Sequence, residues 1–291
     1  MVRNLLYIFL FSALLSCTSG STESGPQIIT VSIAPYKYFI EKIAGDDFRV
    51  NVMVPAGANP HIYEPFPGQI SDLRKSVAYV SNGFLGFEMT WLERFYEVNN
   101  TMQKLSLGDN IEALESDHHH EGEHTESADP HYWVSPGCAK IMAATLKDFL
   151  VQLNPSAKES YESNHKALDS LIDSVDAIAT ELFSVYSNRA FMIYHPNLGY
   201  LARDYGLEEI TVEYEGKEPP PSRLKYLIDR ARKENLKIIF VQKEYDTKNA
   251  RSIADEIGAE IEIIDPLSED WEKSTIGIIK SVSESLKLSR N

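Results

Sequence analysis

The chain has 291 residues, 43% of them hydrophobic, with 28 basic and 43 acidic side chains and a formal net charge of −15. That length and apolar content suffice for the cores of two ordinary domains and exclude a disordered chain, while the negative charge excludes a phosphate-backbone binder, which needs a basic surface. The two cysteines, Cys17 and Cys138, are too few for a disulfide framework, so the fold must rest on its core.

Residues 1–17, MVRNLLYIFLFSALLSC, carry one positive charge and then a short apolar run. The run is too short to span a membrane stably and suits the apolar region of a signal peptide. It ends in Leu14-Leu15-Ser16-Cys17, which resembles a bacterial lipobox. The expectation is a lipidated Cys17 and a membrane-anchored lipoprotein of the periplasm or cell envelope; secretion with an unmodified Cys17 is the alternative. Residues 18–27 are small and polar and read as a flexible tether.

From residue 28, short β-branched runs alternate with helical patterns. IITVSI (28–33) is followed by YKYFIEKIAG, whose Gly45 is a candidate helix C-cap. FRVNVMV (48–54), VAYVSN (77–82) and QKLSL (103–107) read as further strands, with an amphipathic helix around FEMTWLERFYEV. The plan repeats in RAFMIYH (189–195), EEITVEY (208–214), KIIFVQ (237–242) and AEIEIID (259–265), separated by helices such as TKNARSIADEIG. Near-continuous apolar strands alternating with helices imply parallel sheets covered on both faces. The reading is an α/β protein of two four-stranded (βα)4 lobes, an N-terminal lobe at 28–154 and a C-terminal lobe at 187–291. Residues 155–186 between them show 3.6-type apolar spacing, with no glycine or proline after Pro155. They predict one long linker helix of roughly 45 Å; two helices broken near Asn164 are the alternative.

His61, His131 and His195 each follow a predicted strand in a proline-bearing turn: PAGANPHIYEP, ADPHYWVSP and MIYHPNLGY. Asp265, in IIDPLSED, closes the last strand in the same way. Ligands of open parallel sheets bind at the carboxyl ends of strands, so a cleft between the lobes can collect two of these residues from each side. Three imidazoles and a carboxylate suit a tetrahedral first-row metal, zinc above others. His165 lies among polar neighbours on the linker helix and reads as a surface residue.

The stretches GANPHIYEP, ADPHYWVSP, YHPNLGYLARDYGL, VEYEGKEPPPSRL and IDPLSEDW, in that order, resemble the cluster A-I family of metal-binding solute-binding proteins of ABC transporters, most closely its zinc-specific branch. The resemblance covers essentially the whole chain after the leader. It implies that His61, His131 and His195 bind Zn2+, with Asp265 or a water as fourth ligand, because Asn59-Pro60 stands where some relatives carry a glutamate before the first histidine. It implies a monomeric, non-catalytic carrier that delivers zinc to a permease driven by a separate ATPase. It also implies limited hinge opening between lobes joined by one helix, and it puts Tyr36 and Glu213 where the family lines its cleft.

The stretch 116–131, SDHHHEGEHTESADPH, places five histidines and five carboxylates in sixteen positions. Segment 109–129 is polar, acidic and without strong periodicity, and reads as a disordered loop. His118, His119, His120 and His124 are expected to form an accessory low-affinity zinc collector, weaker than the cleft because ordering a disordered chain costs conformational entropy; a solvated linker is the alternative. Only His131 belongs to a stretch that looks folded. Three other functions are open to these residues: manganese or iron uptake by the same fold, a zinc hydrolase, and an adhesin or zinc store without a transporter. The one HExxH match, His120 to His124, falls in the acidic loop rather than on a predicted helix, and the turns that hold His61, His131 and His195 carry no adjacent general-base carboxylate in a helix, which disfavours the hydrolase. Harder ions favour more oxygen ligands than three histidines supply, which disfavours manganese and iron.

Overall fold

The computed structural model describes residues 25–115, 128–213 and 219–289. Cys17, most of the tether, and His118, His119, His120 and His124 lie outside the described residues.

The first half runs β1 (Gln27–Val31), α1 (Ala34–Ala44), β2 (Phe48–Val52), α2 (Pro67–Asp72), β3 (Ser76–Ser81), α3 (Gly86–Val98), β4 (Gln103–Ser106) and α4 (Pro136–Leu153). A 3-10 turn at Pro155–Ala157 leads into α5 (Lys158–Ser184). The second half runs β5 (Ala190–Ile193), α6 (Gly199–Tyr205), β6 (Glu208–Thr211), α7 (Pro221–Lys233), β7 (Ile238–Gln242), α8 (Lys248–Ile257), β8 (Glu260–Ile264) and α9 (Trp271–Leu288). The strands form two four-stranded sheets of orders β2-β1-β3-β4 and β6-β5-β7-β8, parallel throughout. The two halves thus share one topology, as their matching sequence plans suggest.

The predicted runs at 48–54, 103–107 and 208–214 are longer than the regular strands β2, β4 and β6. Single bonds carry the pairing onward as the turns begin: Met53 N–H donates to Val31 O at 2.8 Å, Leu107 to Ser81 O at 3.0 Å, and Glu213 to Tyr194 O at 2.8 Å. Gly45 ends α1 at φ 58°, and its N–H bonds Glu41 O, a conformation that favours a residue without Cβ.

Helix α5 runs 27 residues, about 40 Å, without a break near Asn164. Leu168, Ile172, Val175, Ala179 and Phe183 recur every three or four residues and are buried, the stripe that the 3.6 period requires. Asn164 donates its side-chain amide to Ile43 O at 2.9 Å, fastening the helix to α1. At the far end Arg189 bonds the carbonyls of Phe183, Tyr186, Tyr205 and Gly206, tying the end of α5 to the C-terminal sheet.

Alternation along the C-terminal strands divides their side chains between two cores. Ala190, Met192, Ile239 and Val241 pack in a core of their own with α7 and α8. Phe191, Ile193, Ile238 and Phe240 join a larger core that continues through α5 and α9 into the N-terminal lobe. The seam is locked by two indoles: Trp133 donates to Pro266 O at 2.9 Å, and Trp271 donates to Trp133 O at 2.7 Å. No helix among the described residues is long and apolar enough to cross a membrane.

Candidate metal centre

Three loops at the carboxyl ends of β2, β4 and β5 meet at the seam. The first carries His61, whose N–H bonds Asn59 Oδ1 at 2.8 Å. Phe87 N–H reaches Pro60 O at 3.4 Å. Gly86 lets the N-terminus of α3 close on this loop, since a Cβ there would sit 2.5 Å from His61 O.

The second loop carries His131, buried to 3% exposure. Asp129 Oδ1 accepts from the His131 amide at 2.9 Å and pairs with its Nδ1 at 2.7 Å. Pro130 O accepts from Asn82 Nδ2 at 2.9 Å, and Asn82 also bonds Tyr36. Glu88, almost completely buried, accepts from Ser32 Oγ and from the amides of Asn82 and Gly83, which fixes the turn that carries Asn82. Burial holds the Glu88 carboxyl above the usual carboxylate range.

The third loop carries His195, 4% exposed. Its Nδ1 pairs with Glu213, its carbonyl accepts from Gln242 Nε2, and its ring stacks on Tyr245 at 4.7 Å. Burial pushes the Glu213 carboxyl up to about 7.

The Nε2 atoms form a triangle: His61 to His131 3.0 Å, His61 to His195 3.1 Å and His131 to His195 3.4 Å. Asp129, and Glu213 in its ionised form, assign the proton of the neutral ring to Nδ1 in His131 and His195, so each ring then turns a bare lone pair inward. Two such lone pairs cannot bond one another; a cation between them satisfies both. A tetrahedral zinc with Zn–N bonds of about 2.0–2.1 Å sets its donors roughly 3.3–3.4 Å apart, close to the observed spacing. These three are the group of metal-ligating side chains that the described residues bring together.

Asp265 does not join the triangle. Its carboxylate is 38% exposed and bonds Lys243 Nζ at 3.0 Å. It lines an adjoining cleft of about 310 Å³ with Glu244, Lys243 and Glu269. Tyr36 is fully buried, donating to Tyr132 Oη at 3.1 Å, and so lies beneath the site rather than along its opening. His165 sits on α5, apart from the cluster. Sequence reasoning singled out Glu213 and missed Asp129, Gln242, Tyr245 and Gly86. Asp129 carries a local signal, an acid two residues before a histidine across a proline; Gln242 is the one polar residue of its strand.

Residues 29–287 match the sequence model of a family described as zinc-uptake complex component A, periplasmic. The high-affinity zinc uptake system protein ZnuA of Bacillus subtilis (strain 168) is 27% identical over 287 residues, covering 93% of this chain and 89% of that protein. Zinc-binding lipoprotein AdcA of Streptococcus pneumoniae (strain ATCC BAA-255 / R6) is 27% identical over 274 residues, with 90% of this chain covered; the chain spans 54% of that protein's length. A crystal structure of ZnuA is 38% identical with a TM-score of 0.84, covering 89% of this chain and 99% of that one.

Proposed function

The chain belongs to the periplasmic zinc-uptake component A family, and on that premise we propose that it captures Zn2+ outside the cytoplasm and delivers it to an ABC-transporter permease driven by a separate ATPase. His61, His131 and His195 hold the ion; the observation that carries this reading is the triangle of Nε2 atoms 3.0–3.4 Å apart. Asp129 and Glu213 hold two of the rings in the tautomer that binds metal and raise their basicity. Three nitrogen donors from a buried site favour zinc over manganese, which seeks oxygen. The fourth position is left to water, or to Asp265 once it exchanges Lys243 for the ion. The chain acts as a carrier rather than a catalyst.

Chelator-competition titration tests the assignment. His195→Ala should weaken the tight site by at least a hundredfold, since a ligand contributes more than the 10–100-fold of a residue behind it. An unchanged titration would remove His195 from the site. Deleting 116–127 should abolish only weak zinc equivalents, in keeping with an accessory role for His118, His119, His120 and His124; losing the tight site in that deletion would overturn the division. Anchoring through Cys17 is proposed from the lipobox-like Leu14-Leu15-Ser16-Cys17, and mass spectrometry of the processed N-terminus would test it.

A further inference from the structure

The segment that carries His195 reaches the N-terminal lobe again five residues later. Tyr200, in the first turn of α6, is fully buried. Its hydroxyl donates to Asp129 O at 2.7 Å and accepts from the Leu114 amide at 3.1 Å. Those two residues are also paired with each other, Asp129 N–H to Leu114 O at 2.8 Å, beside an antiparallel bridge between Glu115 and Ala128. One hydroxyl from the C-terminal lobe therefore fastens two N-terminal segments at the point where they run together. Its ring is held edge-on to Tyr132 with the Arg203 guanidinium over its face, centroid distances 6.2 and 5.0 Å. Gly199 completes the joint: a Cβ there would lie 3.1 Å from Asp129 Oδ2, so α6 seats its first residue against that carboxylate.

We propose that Tyr200 is a positioning residue of the metal centre. Through Asp129 it ties the segment that supplies His195 to the residue that aims His131, and holds the two rings in register across the seam. The inference rests on the reading of His131 and His195 as ligands. Without the hydroxyl, the Asp129 carbonyl and the Leu114 amide lose a shared partner. The Asp129 carboxylate then gains freedom, and His131 spends more time turned off the ion.

The test uses the full chain loaded with zinc alone and mixed with excess chelator, with release followed by stopped flow. Tyr200→Phe keeps the ring and removes the hydroxyl. Release should quicken about fivefold, less than the 10–100-fold of a group bonded directly to a ligand because Tyr200 acts through Asp129. The visible absorption of the Co2+-loaded variant should shift, reporting a changed ligand geometry that a loss of stability alone would not produce. Tyr205→Phe is the control: it removes a hydroxyl at the other end of α6, where it donates to Asp176 at 2.6 Å, and should release zinc at the wild-type rate. If Tyr200→Phe does not fold, Gly199→Ala decides, since it presses on the Asp129 carboxylate with the hydroxyl intact and should also quicken release. Wild-type release rates in the deciding variant overturn the proposal. Equal acceleration in Tyr205→Phe overturns it too, by showing a general loosening of α6. A wild-type chain without a tight zinc site, or one indifferent to His195→Ala, overturns the ligand assignment instead.

Discussion

Trp271→Phe removes the N–H that reaches Trp133 O across the seam at 2.7 Å, at a place where both indoles are 1–2% exposed. A buried carbonyl stripped of its donor costs about 1–3 kcal/mol. The smaller ring adds roughly 1–2 kcal/mol in lost apolar contact, since the indole packs on Phe39 and Tyr38 with centroids 5.1 and 6.2 Å away. Together these give about 2–5 kcal/mol, which for a chain of this size lowers the melting temperature by about 4–10 °C. Scanning calorimetry of the metal-free protein measures it. Trp133→Phe removes the other indole bond of the seam, to Pro266 O at 2.9 Å, and should cost a similar amount. The double variant should cost less than both together, because neighbours in one joint are not additive. A fall under about 2 °C for Trp271→Phe, less than 1 kcal/mol, would mean that water replaces the indole and that the seam is not sealed. Strict additivity would mean that the two indoles act separately.

Two other variants probe the site and its surroundings. Gly86→Ala places a methyl 2.5 Å from His61 O, so the loop must shift; zinc affinity in the same chelator titration should fall about tenfold with no imidazole altered, and wild-type affinity would show that the loop yields at no cost to the triangle. Glu244→Gln tests the adjoining cleft by pH. Burial, with Asp265 adding to it, pushes the Glu244 carboxyl up to about 7. A carboxyl raised in the folded state favours folding below its unfolded value near 4.3, and that contribution is lost as pH rises through about 7. Glutamine stays neutral, so the variant should melt with wild type at pH 4 and above it at pH 8, with a ceiling of about 4 kcal/mol; equal melting at pH 8 would refute the raised carboxyl.

The strand and helix plan is legible in the sequence because parallel strands covered on both faces keep long apolar runs, as in IIFVQ of β7, which is buried throughout. The linker helix is legible because a stripe such as Leu168, Ile172 and Val175 has meaning only at a helical period. The resemblance drawn from five motifs is borne out by the family match over residues 29–287. What the sequence hides is pairing at long range. Tyr200 meets Leu114 across 86 positions, and Ser32 meets Glu88 across 56; no local pattern marks such partners. Asp265 shows the limit in another way: its place at a strand end can be read, but its side chain bonds Lys243, which ends up beside it only because β7 and β8 pair in the folded sheet.

The apolar core shared by both lobes has a calorimetric consequence. Receptors that close around a ligand bury fresh apolar surface as they do so, and a negative heat-capacity change accompanies binding. Here that surface is already buried: Phe191, Phe240 and Trp271 lie in one continuous core with Ile29, Tyr36 and Trp133. An ion entering the triangle finds its donors within a few tenths of an ångström of where it needs them, and little hydrocarbon is left to hide. The heat of metal capture should therefore vary little with temperature, apart from the protons that the buffer takes up, and the enthalpy of the metal–nitrogen bonds should be readable with little correction for folding.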